Sequence, residues 1–227
     1  MALARLGPIV LVLTLLAGTA AAFGVTAALK TSPSPILQTQ VSKTFSPVCG
    51  CDTRVARIAF RLRRADRVLI AIQDSGGRTV RVLFSSRRKV PAGVHEWAWN
   101  GRLDGGARAA DGMYRPRVEL ENADRVIVLP NRIALDTQPP QVTLVGRPQL
   151  GGPGPLVVHY RLNEPARGLL AVGGSRVART YRVRLDYTLR IAAATLAAVG
   201  AGSGPVTLAA EDLAGNRSAS RPIGVRR

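Results

Sequence analysis

From Ala56 the chain alternates apolar and polar positions, with Ala56, Ile58, Phe60 and Leu62 on one side and Arg57, Ala59, Arg61 and Arg63 on the other. A period of two is the mark of a half-buried strand. Val68, Ile70 and Ile72 repeat the pattern, Asp74-Ser75-Gly76-Gly77 supplies turn residues, and Val80 with Val82 opens a third strand, so a hairpin is expected here. Val90 to Trp99 reads as a strand with both tryptophans on one face. Met113 to Glu121 sets Tyr114, Pro116, Val118 and Leu120 against Arg115, Arg117 and Glu119. Pro116 argues for an edge position, because proline donates no ladder hydrogen bond. With Arg125 to Leu129 and Arg132 to Leu135, these short, evenly spaced strands have the density of a β-sandwich.

Asp136-Thr137-Gln138-Pro139-Pro140 marks a boundary, since consecutive prolines do not sit inside a ladder. Beyond it strands are expected near Gln141 to Val145, Leu156 to Leu162, Gly168 to Val172, Val177 to Val183, Leu185 to Ile191, Val206 to Ala210 and Arg221 to Val225. Ala192 to Val199 fits a helical turn or a further strand equally well. Ahead of all this, Pro8 to Leu29 is an uncharged run of 22 residues between Arg5 and Lys30. As a helix it would cover a hydrocarbon core of about 30 Å. Ala20 and Ala22 offer a signal-peptidase site, but the apolar character continues past it and favours an uncleaved anchor. Thr31 to Pro47, with Ser32-Pro33-Ser34-Pro35, reads as a stiff spacer. The expected plan is thus all-β: a signal anchor or transmembrane helix at 1–30, a spacer at 31–47, and two tandem β-sandwiches at 48–137 and 138–227.

Composition sharpens this picture. In 227 residues, 32 are basic and 14 acidic, giving +18. All but Lys30, Lys43 and Lys89 of the basic residues are arginine. At 46% hydrophobic the chain is too apolar to be disordered. A basic chain is drawn to anionic partners. Nucleic acid is disfavoured, because only 4% of residues are aromatic and stacking platforms are therefore few. Arg57, Arg61, Arg63, Arg115 and Arg117 are the candidate polyanion-binding residues, facing a wall polymer or lipid headgroups, and otherwise a solvated sheet face.

Trp99-Asn100-Gly101-Arg102, Asp104-Gly105 and Gly112-Met113-Tyr114 resemble the W-D-G…G…G-x-Y pattern of Ig-like domains of the flagellar hook-capping (FlgD) type. Phe45-Ser46-Pro47 with Asp52-Thr53 is similar to the segment that often opens such modules, although Val48-Cys49-Gly50-Cys51 replaces its acidic loop. The resemblance implies that Trp99 and Tyr114 bury aromatic faces across a sandwich, and that Gly101, Gly105 and Gly112 allow positive-φ turns. Asp136-Thr137-Gln138-Pro139-Pro140 and the closing Asp212-Leu213-Ala214-Gly215-Asn216-Arg217-Ser218 resemble the two ends of bacterial Ig-like repeats, so the resemblances imply that the two tandem β-sandwiches are both Ig-like. Such modules serve as spacers, adhesins and assembly parts alike.

Little else points to chemistry. Cys49 and Cys51 can form a local disulfide in an exported chain, bridge another chain or remain free. Two sulfurs alone do not complete a zinc site. His95 and His159 fall in strands with no linked nucleophile, Ser175 lacks the flanks of a nucleophile elbow, and no catalytic or cofactor fingerprint occurs. Asn100, Asp104 and Asp111 could approach a cation, but beside glycine they read first as turn formers. No catalytic, cofactor-binding or metal residue is expected. The sequence therefore predicts a non-enzymatic, single-pass extracytoplasmic protein that spaces or binds, held to the membrane by its N-terminal helix, with an envelope protein or an anionic wall polymer as partner.

Overall fold

The computed structural model describes residues 6–31, 33–150, 154–180, 182–198 and 204–224. Helix α1 runs Leu6–Thr31. Among the described residues no helix is long and apolar enough to cross a membrane. The expected span lies within α1, whose side chains are described over 11–24; those of 8–10 and 25–29, its two ends, are outside the described residues.

Strands β1 (Ile36–Val41), β2 (Thr44–Phe45), β3 (Ala56–Leu62), β4 (Val68–Gln73), β5 (Thr79–Ser85), β6 (Gly93–Trp99), β7 (Gly112–Leu120), β8 (Arg125–Val128) and β9 (Ile133–Leu135) follow. They form two sheets. One has the order β1-β3-β6, and the other β2-β9-β7-β4-β5 with β8 beside β7. The alternation read from Ala56 holds residue by residue, since Ala56, Ile58, Phe60 and Leu62 are all buried. They meet Phe45, Ile70, Ile72, Trp99, Val118 and Leu135 in one continuous core between the two sheets.

Two expectations are corrected here. The presumed spacer contains two strands of the first unit: β1 pairs antiparallel with β3, Ile36 opposite Leu62, and a bulge between Leu37 and Gln40 accommodates Gln38 at a φ of 50°, while β2 pairs with β9. The Ser-Pro repeat hid this strand, because Ile36 alone of its side chains is fully buried. Pro116 also does not mark an edge, as β7 is central, flanked by β4 on one side and by β9 and β8 on the other. On the second side β9 covers Gly112 to Tyr114 and β8 covers Arg117 to Leu120, leaving Pro116 in the gap. There its carbonyl accepts from the Leu129 amide at 2.9 Å, and the donor it lacks is not called for.

After the linker come β10 (Val142–Leu144), β11 (Gln149–Leu150), β12 (Leu156–Val172), β13 (Ser175–Arg179), β14 (Arg184–Ile191), α2 (Ala193–Ala198), β15 (Val206–Glu211) and β16 (Arg221–Pro222). The ambiguous alanine-rich segment is helical, with Leu196 turned inward. The two strands expected at 156–162 and 168–172 are one 17-residue strand. Its first part pairs with β10, β11 and β14, its second with β13 and β15, and β16 extends from β15. The β14 register breaks between Arg161 and Ala166, and that break holds Pro165, where no ladder donor is needed. A separate core gathers Leu156, Val158, Tyr160, Leu162, Leu170, Val172, Ile191 and Leu208.

Candidate functional site

The two cores meet at a polar junction built from three loops: 46–53, 136–140 and 212–216. Asn216 is its hub and is buried. Its side-chain nitrogen donates to the Asp136 carbonyl at 2.9 Å and to Asp212 Oδ2 at 2.8 Å, while Oδ1 accepts from the Ser46 hydroxyl at 2.5 Å. Ser46 is itself fully buried, so each group satisfies the other across 170 positions of sequence. Asp212 Oδ1 in turn accepts from the Asn216 amide, closing the turn that presents the asparagine. A second bond runs from the Thr53 hydroxyl to the Ala214 carbonyl at 2.6 Å.

Cys49 and Cys51 are joined in a disulfide. The ring lies against Gly215, where a Cβ would come within 2.3 Å of Cys51 Sγ and 2.7 Å of Thr53 Oγ1. With φ at +91°, this position excludes a side chain both by conformation and by space. An open cavity of about 370 Å³ beside the ring is bounded by Val48, Thr137, Pro139 and Arg217.

The junction also gathers carboxylates. Oxygens of Asp136, Glu164 and Asp212 lie within 4.8 Å of one another, the one such acidic or metal-ligating group among the described residues. Burial, and then the charges of Asp136 and Asp212, hold the Glu164 carboxyl above its usual range. Burial likewise raises Asp212, against the opposing hydrogen bonds from Asn216. An all-oxygen set of this kind has the chemistry to hold a hard cation or to share a proton. Asp136 and Asp212 are visible in the sequence as the ends of the second repeat. Glu164 is not, because it arrives from the bend of β12.

The aromatic motif of the first unit is structural. Trp99 packs on Phe45 at 5.2 Å and edge-on to Tyr114 at 4.8 Å between ring centroids. The indole donates to the Arg102 carbonyl and the phenol to that of Ala110, so both polar handles are used within their own loop. Gly101, at φ +75°, passes so close to Pro47 and Leu135 that a Cβ would lie 3.1 and 3.2 Å from them. Gly112 also has a positive φ, +156°, as expected, whereas the remaining positive-φ glycine of the loop is Gly106 and not the expected Gly105. Asn100, Asp104 and Asp111 cap amides, of Arg102, Val82 and Thr137 respectively.

The five candidate polyanion-binding arginines are not brought together. Arg57, Arg61 and Arg63 belong to β3 and its end, whereas Arg115 and Arg117 lie on β7 in the opposing sheet. Most are already engaged: Arg57 with Glu96, Arg61 with Gln38, Arg63 with the Ser34 carbonyl and Arg117 with Glu119. His95 bonds the Pro91 carbonyl and His159 the Thr188 hydroxyl.

No curated protein matches the sequence. Among solved structures the chain is similar to the human OSCAR ligand-binding domain, at 13% identity and a TM-score of 0.38 over 84% of this chain and 98% of that one. It is also similar to a Ca²⁺-stabilised adhesin of an Antarctic ice-binding bacterium, at 14% identity and 0.29 over 83% and 49%. A titin Z1Z2 tandem shows 12% identity and 0.27 over 86% and 100%. Residues 52–124, the stretch from the disulfide loop through the Trp99 and Tyr114 motif to β7, match the family model of the FlgD Ig-like domain.

Proposed function

We propose that this protein is a non-enzymatic extracytoplasmic spacer and interaction module, in which an FlgD-type Ig-like unit and a second Ig-like unit are carried as a stiff pair by the N-terminal apolar segment. The observation that carries the reading is the buried Ser46–Asn216–Asp136 connection at the junction. A loose linker leaves its polar groups to water, whereas here one side chain satisfies three segments in a dry setting, and dry hydrogen bonds hold geometry. The disulfide supports export, since such bonds persist in oxidising compartments. The uncharged run Pro8 to Leu29 supplies the export signal or anchor. Attachment to an anionic wall polymer through Arg57, Arg61, Arg63, Arg115 and Arg117 is the weaker reading, because those residues divide between opposite sheets and an extended polyanion cannot track both.

Two measurements test it. In intact cells a membrane-impermeant maleimide is expected to label Cys49 and Cys51 only after reduction; labelling confined to lysed cells overturns export. Small-angle scattering of the full chain is expected to give a narrow distance distribution that broadens in a Thr53→Ala, Asn216→Ala double variant. Identical curves overturn the stiff pair.

A further inference from the structure

The outward face of β12 and β14 carries cross-strand pairs from a single register. His159 lies opposite Thr188, with Nδ1 and the hydroxyl 2.9 Å apart, and Arg161 lies opposite Asp186, donating to it at 2.7 Å. Strand alternation puts Arg184 on the same face as Asp186 and Thr188, and Arg182 precedes it by two positions. Together they line an open groove of about 680 Å³, within the range of small-ligand sites.

The charges in this groove do not balance. Asp186 is its one carboxylate and is matched by Arg161. Arg182 and Arg184 have no ion-pair partner among the described residues. This distinguishes them from Arg57 and Arg117 in the first unit, each of which sits on a glutamate. The backbone at Arg182 is also tied down. The Tyr187 hydroxyl reaches the Ala166 carbonyl at 2.8 Å and the Arg182 carbonyl, and its ring stacks on buried Tyr160 at 5.1 Å. One guanidinium therefore starts from an anchored backbone and the other from a strand, so less freedom is lost when a ligand binds than on a free loop.

We propose that this groove binds a phosphate group. A carboxylate needs one guanidinium, as Asp186 shows; two unpaired planar forks suit a dianion whose several oxygens can each accept a pair of hydrogen bonds. Where Nδ1 of His159 accepts from Thr188, its Nε2 carries the proton and adds a third donor on the same face. The site stands on the groove alone and does not require the spacer reading. The phosphate belongs either to a free ester or to a lipid headgroup, and the chemistry of recognition is shared.

The test uses the full chain in mild detergent at about 0.1 M salt. Glycerol 3-phosphate is titrated by calorimetry, with acetate as the monoanionic comparison. In parallel, vesicles of phosphatidylcholine with and without phosphatidic acid are used in flotation. Saturable binding is expected in at least one arm, and the arm that binds identifies the source; acetate is expected to bind at least tenfold more weakly than the ester. Arg182→Gln with Arg184→Gln is expected to weaken binding at least tenfold, while Arg57→Gln with Arg61→Gln leaves it within twofold. Should the double variant lose its circular dichroism, the single variants are read in its place, and each must weaken binding at least threefold. Absence of saturable binding in both arms, acetate binding as tightly as phosphate, or equal losses in the groove and first-unit variants overturns the site.

Discussion

The two β units solve the same packing problem with different materials. The first fills its core with large rings, Phe45, Phe60, Trp99 and Tyr114, drawn from four separate strands, and closes its sheet by pairing β2 parallel to β9. The second uses mainly aliphatic residues around Tyr160, and relies on one strand, β12, whose two parts pair with different sets of strands. One unit is thus held by side chains meeting from distant segments and the other by a shared piece of backbone. Damage should therefore spread differently in each.

Trp99→Ala breaks the comparison most severely. Removing a fully buried indole that contacts both Phe45 and Tyr114 is expected to cost about 3–5 kcal/mol and to unfold the first unit. Thermal melting with intrinsic fluorescence reads the loss, and an unchanged curve contradicts the assigned core. Gly168→Ala strikes the second unit, where the new Cβ would sit 1.7 Å from the Tyr160 hydroxyl. A shift of the buried ring is then required, at about 1–3 kcal/mol. Tyr160→Phe sharpens the point. Its hydroxyl makes no hydrogen bond of good geometry among the described residues, although the Thr180 side chain lies near enough to interact with it, so this change alone is expected to be nearly neutral, and in the Gly168→Ala background it should recover part of the loss in a denaturant titration.

Asn216→Ala tests the junction between them. It strands the Ser46 hydroxyl and the Asp136 carbonyl, and is expected to lower stability by about 1–3 kcal/mol while leaving each core intact. Hydrogen exchange localised to 46–53 and 136–140 would confirm the assignment, whereas exchange spread through either core would contradict it. The smallest effect is electrostatic. Glu164 and Asp212 both have folded pKa values above their usual ones, so the folded chain holds extra protons between the usual and the raised values. Stability is then expected to fall as pH rises through that window, and to recover on acidification into it. Glu164→Gln should flatten the dependence of the melting temperature just above the usual carboxylate range, and an unaltered slope would place its origin elsewhere.

How much could be read beforehand follows the same division. Four inward apolar positions alternating with three outward ones made β3 plain, and the aromatic-glycine loop signalled its own packing because each large ring needed a turn beside it. β1 was hidden, since a strand that pairs through its backbone while exposing most of its side chains leaves no period to find. The long β12 was broken in two by Asn163-Glu164-Pro165, residues that ordinarily end strands and here mark the change from one set of pairing strands to the other. At the junction, Asp212, Gly215 and Asn216 were visible as a closing motif, but their partners Ser46 and Thr53 lie more than 150 positions away. No local pattern reports such a separation. The groove escaped for a related reason: Arg182, Arg184, His159 and Arg161 look like scattered solvated charges until the β12–β14 register aligns them.

The continuity of β12 has a mechanical meaning. Of the strands that begin and end the second unit, β10 is bonded to the first part of β12, and β16 reaches the second part through β15. A pull along the chain therefore enters the ladder on the first part of β12 and leaves through the ladder on its second part, and the peptide bonds of this strand are the direct route between them. The two ladders share this covalent tie, so the weaker of them is expected to give way first when the unit is pulled from its ends.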